Sequence, residues 1–118
     1  METMFPHERL DAWKLAVAAR CATWRLLDTV PRGYGEDLGQ LRRSSQSAPK
    51  LIAEGANRFS PGEKRRRFDD ALTEIGETAS GLRELAAMGV VDGAAVAAAC
   101  RLWGRCRGAV LGLYRRLE

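Results

Sequence analysis

The chain has 118 residues, 46% of them apolar and 7% aromatic, with a formal net charge of +4 from 19 Lys and Arg against 15 Asp and Glu. That supports a single domain over residues 1–118 with a hydrophobic core, and it excludes a disordered polybasic tail. The positive surplus points to an anionic partner such as nucleic acid or an acidic protein.

Cys21, Cys100 and Cys106 are odd in number and form no Cys-x-x-Cys pair, which is the cysteine usage of a reducing compartment. The first residues include Glu2 and Glu8 and no apolar signal core, and the longest apolar run, 94–100, is too short to cross a bilayer. A cytoplasmic location is expected.

The first helix is expected over residues 8–30. Leu10, Trp13, Val17, Trp24 and Leu27 recur at helical spacing as its buried stripe, with Cys21 alongside. Trp13 and Trp24, eleven residues apart, project the same way and read as core anchors in preference to nucleic-acid stacking platforms. Pro31-Arg32-Gly33 ends the helix and turns the chain.

The second helix is expected over 36–54. Leu41, Ser45, Ala48 and Ile52 share one face, and the small Ser45 and Ala48 would let a neighbouring helix come close. Pro49 lies inside it, where it removes one hydrogen bond and crowds the preceding turn, so a kinked helix is expected in preference to two helices. Arg43, Lys50 and Glu54 lie opposite the apolar stripe, with Lys50 and Glu54 placed to pair at i,i+4. Gly55 stands where a left-handed cap would end the helix.

Ser60-Pro61-Gly62-Glu63 reads as a capping box with Pro61 at the first helical position. The third helix then runs over 61–88 with a stripe of Phe68, Leu72, Ile75, Ala79 and Leu82, and Gly89 stops it. The fourth runs over 93–117 with Asp92 as N-cap. Its residues Val96, Ala99, Trp103, Cys106, Val110, Leu113 and Leu117 alternate by three and four, as in a bundle seam. Cys100 and Cys106 on this helix face away from each other and cannot bridge. Short loops favour an all-α, antiparallel up-down-up-down four-helix bundle. The start of the fourth helix is apolar all round, so Ala94, Ala95, Ala97 and Ala98 form a candidate interface for a homo-oligomer. Alanine's high helix propensity is the plainer explanation of the same run.

The block Gln40-Leu41-Arg42-Arg43, Ser47-Ala48-Pro49, Ile52-Ala53-Glu54-Gly55 and Arg58-Phe59-Ser60 resembles the signature of the bacterial four-helix bundle proteins often encoded within intervening sequences of large-subunit ribosomal RNA genes. Leu10-Asp11-Ala12-Trp13 and Glu84-Leu85 extend the likeness over essentially the whole chain. Lys50-Leu51 depart from the Ala-Asn common in that family, so no role of that asparagine carries over. The resemblance implies ring-shaped homopentamers and tolerance of the mid-helix proline. It also implies a likeness to the accessory proteins of diversity-generating retroelements, pentameric basic bundles that work with a reverse transcriptase and its RNA.

Catalysis has little to work with. His7, the one histidine, is expected in a frayed first turn, no nucleophile motif surrounds any Ser or Cys, and no Glu-x-x-His pair suggests a di-metal bundle. The glycines at 33, 35 and 39, or 55 and 62, lack phosphate-loop spacing. No enzymatic activity, metal or cofactor is expected.

Lys64-Arg65-Arg66-Arg67 sits in the first turns of the third helix, where the helix dipole favours anions. Pairing of Arg65 with Asp69 and of Arg66 with Asp70 would make this a solvated helix end. Left unpaired, the same cluster with Arg58, and with Arg42, Arg43 and Lys50 farther back, would be an anion site. With no exposed aromatic row beside the arginines, contacts to structured nucleic acid, RNA foremost, would go to the backbone and be poor in sequence specificity. The reading is a non-enzymatic oligomeric bundle that binds nucleic acid. The alternatives are a protein-interaction scaffold without nucleic-acid binding and a retroelement reverse-transcriptase accessory protein.

Overall fold

The computed structural model describes residues 4–117. Four helices, α1 (Asp11–Leu27), α2 (Gly35–Asn57), α3 (Pro61–Ala87) and α4 (Gly93–Arg115), follow a 3-10 turn at Pro6–Arg9. Each helix packs against its neighbours in sequence, and α4 returns against α1, which closes the antiparallel four-helix bundle. No described helix is long and apolar enough to cross a membrane.

The starts of α3 and α4 follow their local signals, although of the expected capping box at Ser60–Glu63 only the Ser60 half forms among the described residues. The Ser60 hydroxyl accepts from the Glu63 N–H at 3.4 Å, Pro61 is the first residue of α3, and Asp92 Oδ2 accepts from the Ala95 N–H at 3.1 Å. Gly33 and Gly89 take positive φ at the turns after α1 and α3, as only glycine does cheaply. α2 runs uninterrupted through Pro49, so the proline does not divide it.

Gly55 is a correction. It has no positive φ and α2 continues past it to Asn57. Its role is clearance: a Cβ there would lie 2.6 Å from Phe68 Cε1, so only glycine lets the Phe68 ring of α3 lie against the α2 backbone. Gly81 does the same for Leu41 at the other end of this pair, also at 2.6 Å. Between the two contacts the Thr78 hydroxyl donates to Ser44 Oγ at 2.7 Å, so α2 and α3 are joined by two close approaches and a buried polar link.

The first helix differs most from its expected form. It begins at Asp11, after a break at Leu10, and stops at Leu27. Its buried residues are Ala12, Ala16, Ala19, Thr23, Leu26 and Leu27, while Trp13, Val17 and Trp24 are half-buried and Cys21 is exposed. Small residues face inward because α4 brings the bulk: Trp103 is fully buried and its Nε1 donates to Thr23 Oγ1 at 2.9 Å. The α1 tryptophans instead line a shallow groove toward α2, where Trp24 Nε1 donates to Ser45 Oγ at 3.0 Å. In α3 the buried stripe takes Ala71, Thr78 and Leu85 and leaves Leu72 and Ala79 half-buried. The α4 seam from Val96 to Val110 is buried as expected.

All three cysteines are free. Cys106 is buried with Sγ 3.4 Å from the Ala12 carbonyl, and burial pushes its thiol up to about 12. The thiolate is the reactive form and is scarce far below the pKa. Iodoacetamide at pH 8 should therefore modify Cys21 and spare Cys106 until denaturant is added. Rapid native-state modification of Cys106 in a mass spectrum would contradict this packing.

Candidate nucleic-acid and assembly surfaces

The antiparallel topology decides what becomes of the expected basic cluster. It brings the C-termini of α2 and α4 beside the N-terminus of α3, so their terminal carbonyls meet the cations of its first turns. Lys64 Nζ donates to the Gly55 and Ala56 carbonyls at 3.4 and 3.1 Å, and Arg65 Nη1 donates to the Leu117 carbonyl at 3.3 Å. Arg67 Nε lies 3.8 Å from Glu54 Oε2, and Arg42 Nη2 lies 3.8 Å from Asp28 Oδ1. Cations that look misplaced on α3 are thus well placed for its neighbours.

Three expected pairings are corrected by these contacts. Glu54 pairs across to Arg67 and not along the helix to Lys50. Arg65 reaches the α4 carbonyl end in place of Asp69, and among the described residues Arg66 makes no salt bridge with Asp70. Arg43, Lys50, Arg58 and Arg66 are exposed, and among the described residues none of them has a salt-bridge partner. The eight predicted cations therefore divide into four held by the bundle and four open to solvent, spread over α2, the α2–α3 loop and the first turns of α3.

The aromatic residues divide too. Trp24 is covered by guanidinium groups, with Arg20 4.9 Å and Arg42 5.7 Å from the ring centroid. Trp13 meets the edge of His7 at 5.0 Å. His7 is not frayed, since its Nδ1 accepts from Asn57 Nδ2 at 3.0 Å and so ties the 3-10 turn to the end of α2. Phe59, beside Arg58 in the loop, is 98% exposed and Phe5 is 65% exposed. Sequence reasoning missed Phe59 because a lone aromatic carries no periodic signal, although its place between Arg58 and a helix cap marks a loop tip.

On α4, Ala94 and Ala98 are exposed and Ala95 and Ala97 are half-buried, so the four predicted interface residues lie partly outward. The larger feature was missed. Every exposed residue of α4 is Gly, Ala or Arg, and no Asp or Glu occurs from Gly93 to Leu117. Gly104, Gly108 and Gly112, spaced by four, would meet nothing within 4 Å if given a Cβ. Each glycine costs a helix interior about 1 kcal/mol relative to alanine, and nothing among the described residues requires it.

Across the bundle, α2 and α3 flank a groove of about 840 Å3. Asp37, Glu74, Glu77 and Glu84 line it, with Arg43 as its one cation and Ser47, Gly76, Ser80 and Gly81 as small lining residues. Burial, then Glu77 and Asp70, hold the Glu74 carboxyl above its ordinary range, with Arg43 opposing. Among the described residues no cluster of three His, Cys, Asp or Glu could hold a metal ion.

Residues 8–102 match the model of a family described as 23S rRNA-intervening sequence protein. No curated protein matches the chain.

Proposed function

The chain belongs to the 23S rRNA-intervening sequence protein family, and on that premise we propose that it is a non-enzymatic, self-associating bundle that binds structured RNA through its open cations. The observation that carries this reading is the end of the bundle between α2 and α3, where Arg58, next to the fully exposed Phe59, and Arg66 in the first turns of α3 are exposed and unpaired among the described residues. Cations free of internal pairing contact phosphates and displace counterions, a sequence-independent attraction. Phe59 adds a face on which an unpaired base can stack, which tolerates any base. Lys50 is a second contact along α2, while Arg43 lies in the acidic α2–α3 groove and Arg42, Lys64, Arg65 and Arg67 support the fold first. Self-association repeats this weak site by symmetry, and linked weak sites raise the affinity for a polyanion without new contacts.

The test is RNA binding measured over a series of salt concentrations. Replacing Arg58 and Arg66 with Ala should weaken binding alike for all sequences. The slope of log affinity against log salt should flatten by about 0.7–0.9 for each phosphate that is no longer neutralised. Phe59→Ala should weaken binding to RNA with unpaired bases by about 1–3 kcal/mol while leaving the slope unchanged. Unchanged affinity and slope in the arginine variant would sink the reading and leave the scaffold alternative, in which the charge keeps the bundle soluble.

A further inference from the structure

The outer face of α4 and the α2–α3 groove are opposite in charge, similar in height and both carry exposed glycines. We propose that the outer face of α4 docks into the acidic α2–α3 groove of a second copy of this chain, in a head-to-tail contact. The inference rests on the self-association proposed above and assigns its surfaces.

Three observations favour this occupant. The first is charge: the α4 face carries Arg101, Arg105 and Arg115 with no acid on the helix, and the groove carries Glu74, Glu77 and Glu84 with Arg43 alone to oppose them. The second is shape. Glycines on both sides, Gly104 and Gly108 on α4 and Gly76 in the groove, have no neighbour within 4 Å that would need their missing side chains. Small residues at this spacing let two helices approach backbone to backbone while the arginines extend past them.

The third is height along the bundle. Cys100 Sγ lies 3.9 Å from the Ala79 carbonyl, which in this antiparallel pair sets Arg101 level with Thr78. Arg105 is one turn on, about 6 Å farther along α4, and α3 runs the other way, so Arg105 is level with Glu74. Two copies set side by side with parallel bundle axes therefore bring Arg101 and Arg105 to the height of Glu77 and Glu74, with Glu84 nearer the start of α4. No translation along the axis is needed. The two surfaces are different faces of the molecule, so the contact is heterologous and propagates into a closed ring or a filament. The alanines at the start of α4 continue the same face, while the open cations Arg58 and Arg66 lie outside it.

Charge reversal tests the assignment in the full-length protein by light scattering, with circular dichroism to verify the fold. Arg105→Glu and Glu77→Arg, both at exposed positions, should each weaken association at least tenfold. Combining them in one chain restores opposite charges across the contact and should recover most of the affinity. Gly108→Gln should raise the melting temperature of the monomer, because the helix improves, and yet weaken association. A monomeric wild-type protein would overturn the self-association reading itself. An assembled wild type with unaffected single variants, or a double variant no better than the singles, would overturn only this pairing of surfaces. If Arg105→Glu leaves assembly intact and lowers RNA affinity, the α4 face is a nucleic-acid surface and the docking proposal is wrong.

Discussion

Trp103→Ala should destabilise the protein by about 3–5 kcal/mol, the range for removing a fully buried aromatic from a core. Trp103 is 0% exposed on the central seam of α4, faces the small residues of α1, and donates its indole N–H to Thr23 Oγ1 at 2.9 Å. The alanines of α1 cannot collapse into the vacated volume, because they have no side-chain length to move. The Thr23 hydroxyl would still donate to the Ala19 carbonyl at 2.8 Å, so the polar cost is limited to one partner. Most of the effect is therefore cavity. Against a total stability of about 5–15 kcal/mol, this single change should bring the bundle close to its unfolding midpoint. Trp103→Phe keeps most of the ring and should cost about 1–2 kcal/mol. Urea denaturation measures both, and a change under about 1 kcal/mol for the alanine variant would show that α1 and α4 do not pack through Trp103.

The second large effect is expected at the crossing of α2 and α3. Phe68→Ala should cost about 3–5 kcal/mol, since the ring is 3% exposed and lies against the α2 backbone at Gly55. Gly55→Ala shows the same contact from the other side. Helix propensity alone would favour the alanine by about 1 kcal/mol, but its Cβ would meet the ring at 2.6 Å. The ring is enclosed and cannot swing away, so a net destabilisation of about 1–3 kcal/mol is expected. In the Phe68→Ala background the obstruction is gone and Gly55→Ala should become stabilising. A double-mutant cycle reads this change of sign, and additive effects would show that the two residues do not touch.

These two sites also mark how far a sequence reaches. The α4 seam is legible because three-four alternation requires only that the helix have one buried side, and Trp103 lies on it whichever helix it meets. Gly55 is legible as significant but not in kind. A glycine before a loop fits a left-handed cap or a close approach equally well, and the Phe68 ring that decides between them is thirteen residues away. The first helix misleads because Trp13, Val17 and Trp24, the bulk of its expected stripe, are not among its buried residues. Its tryptophans are large enough to bridge a seam while half in water, and its alanines are inside because α4 supplies the volume.

The sequence alone determined the helix count, the ends of α3 and α4, the turns at Gly33 and Gly89, and the family block from Gln40 to Ser60. All are set by residues within a few positions of one another, through backbone geometry and helix periodicity. Tertiary structure decided the fate of the charges. Lys64 and Arg65 read as misplaced on their own helix because a sequence shows only that helix's dipole. The antiparallel bundle adds the carbonyl ends of α2 and α4, and the cations become their caps. Likewise the glycines of α4 and the acids of α3 are plain in the chain. Their relative height became visible only when Cys100 met Ala79 across the α3–α4 seam, because height is a matter of distance in space and a sequence records distance along the chain.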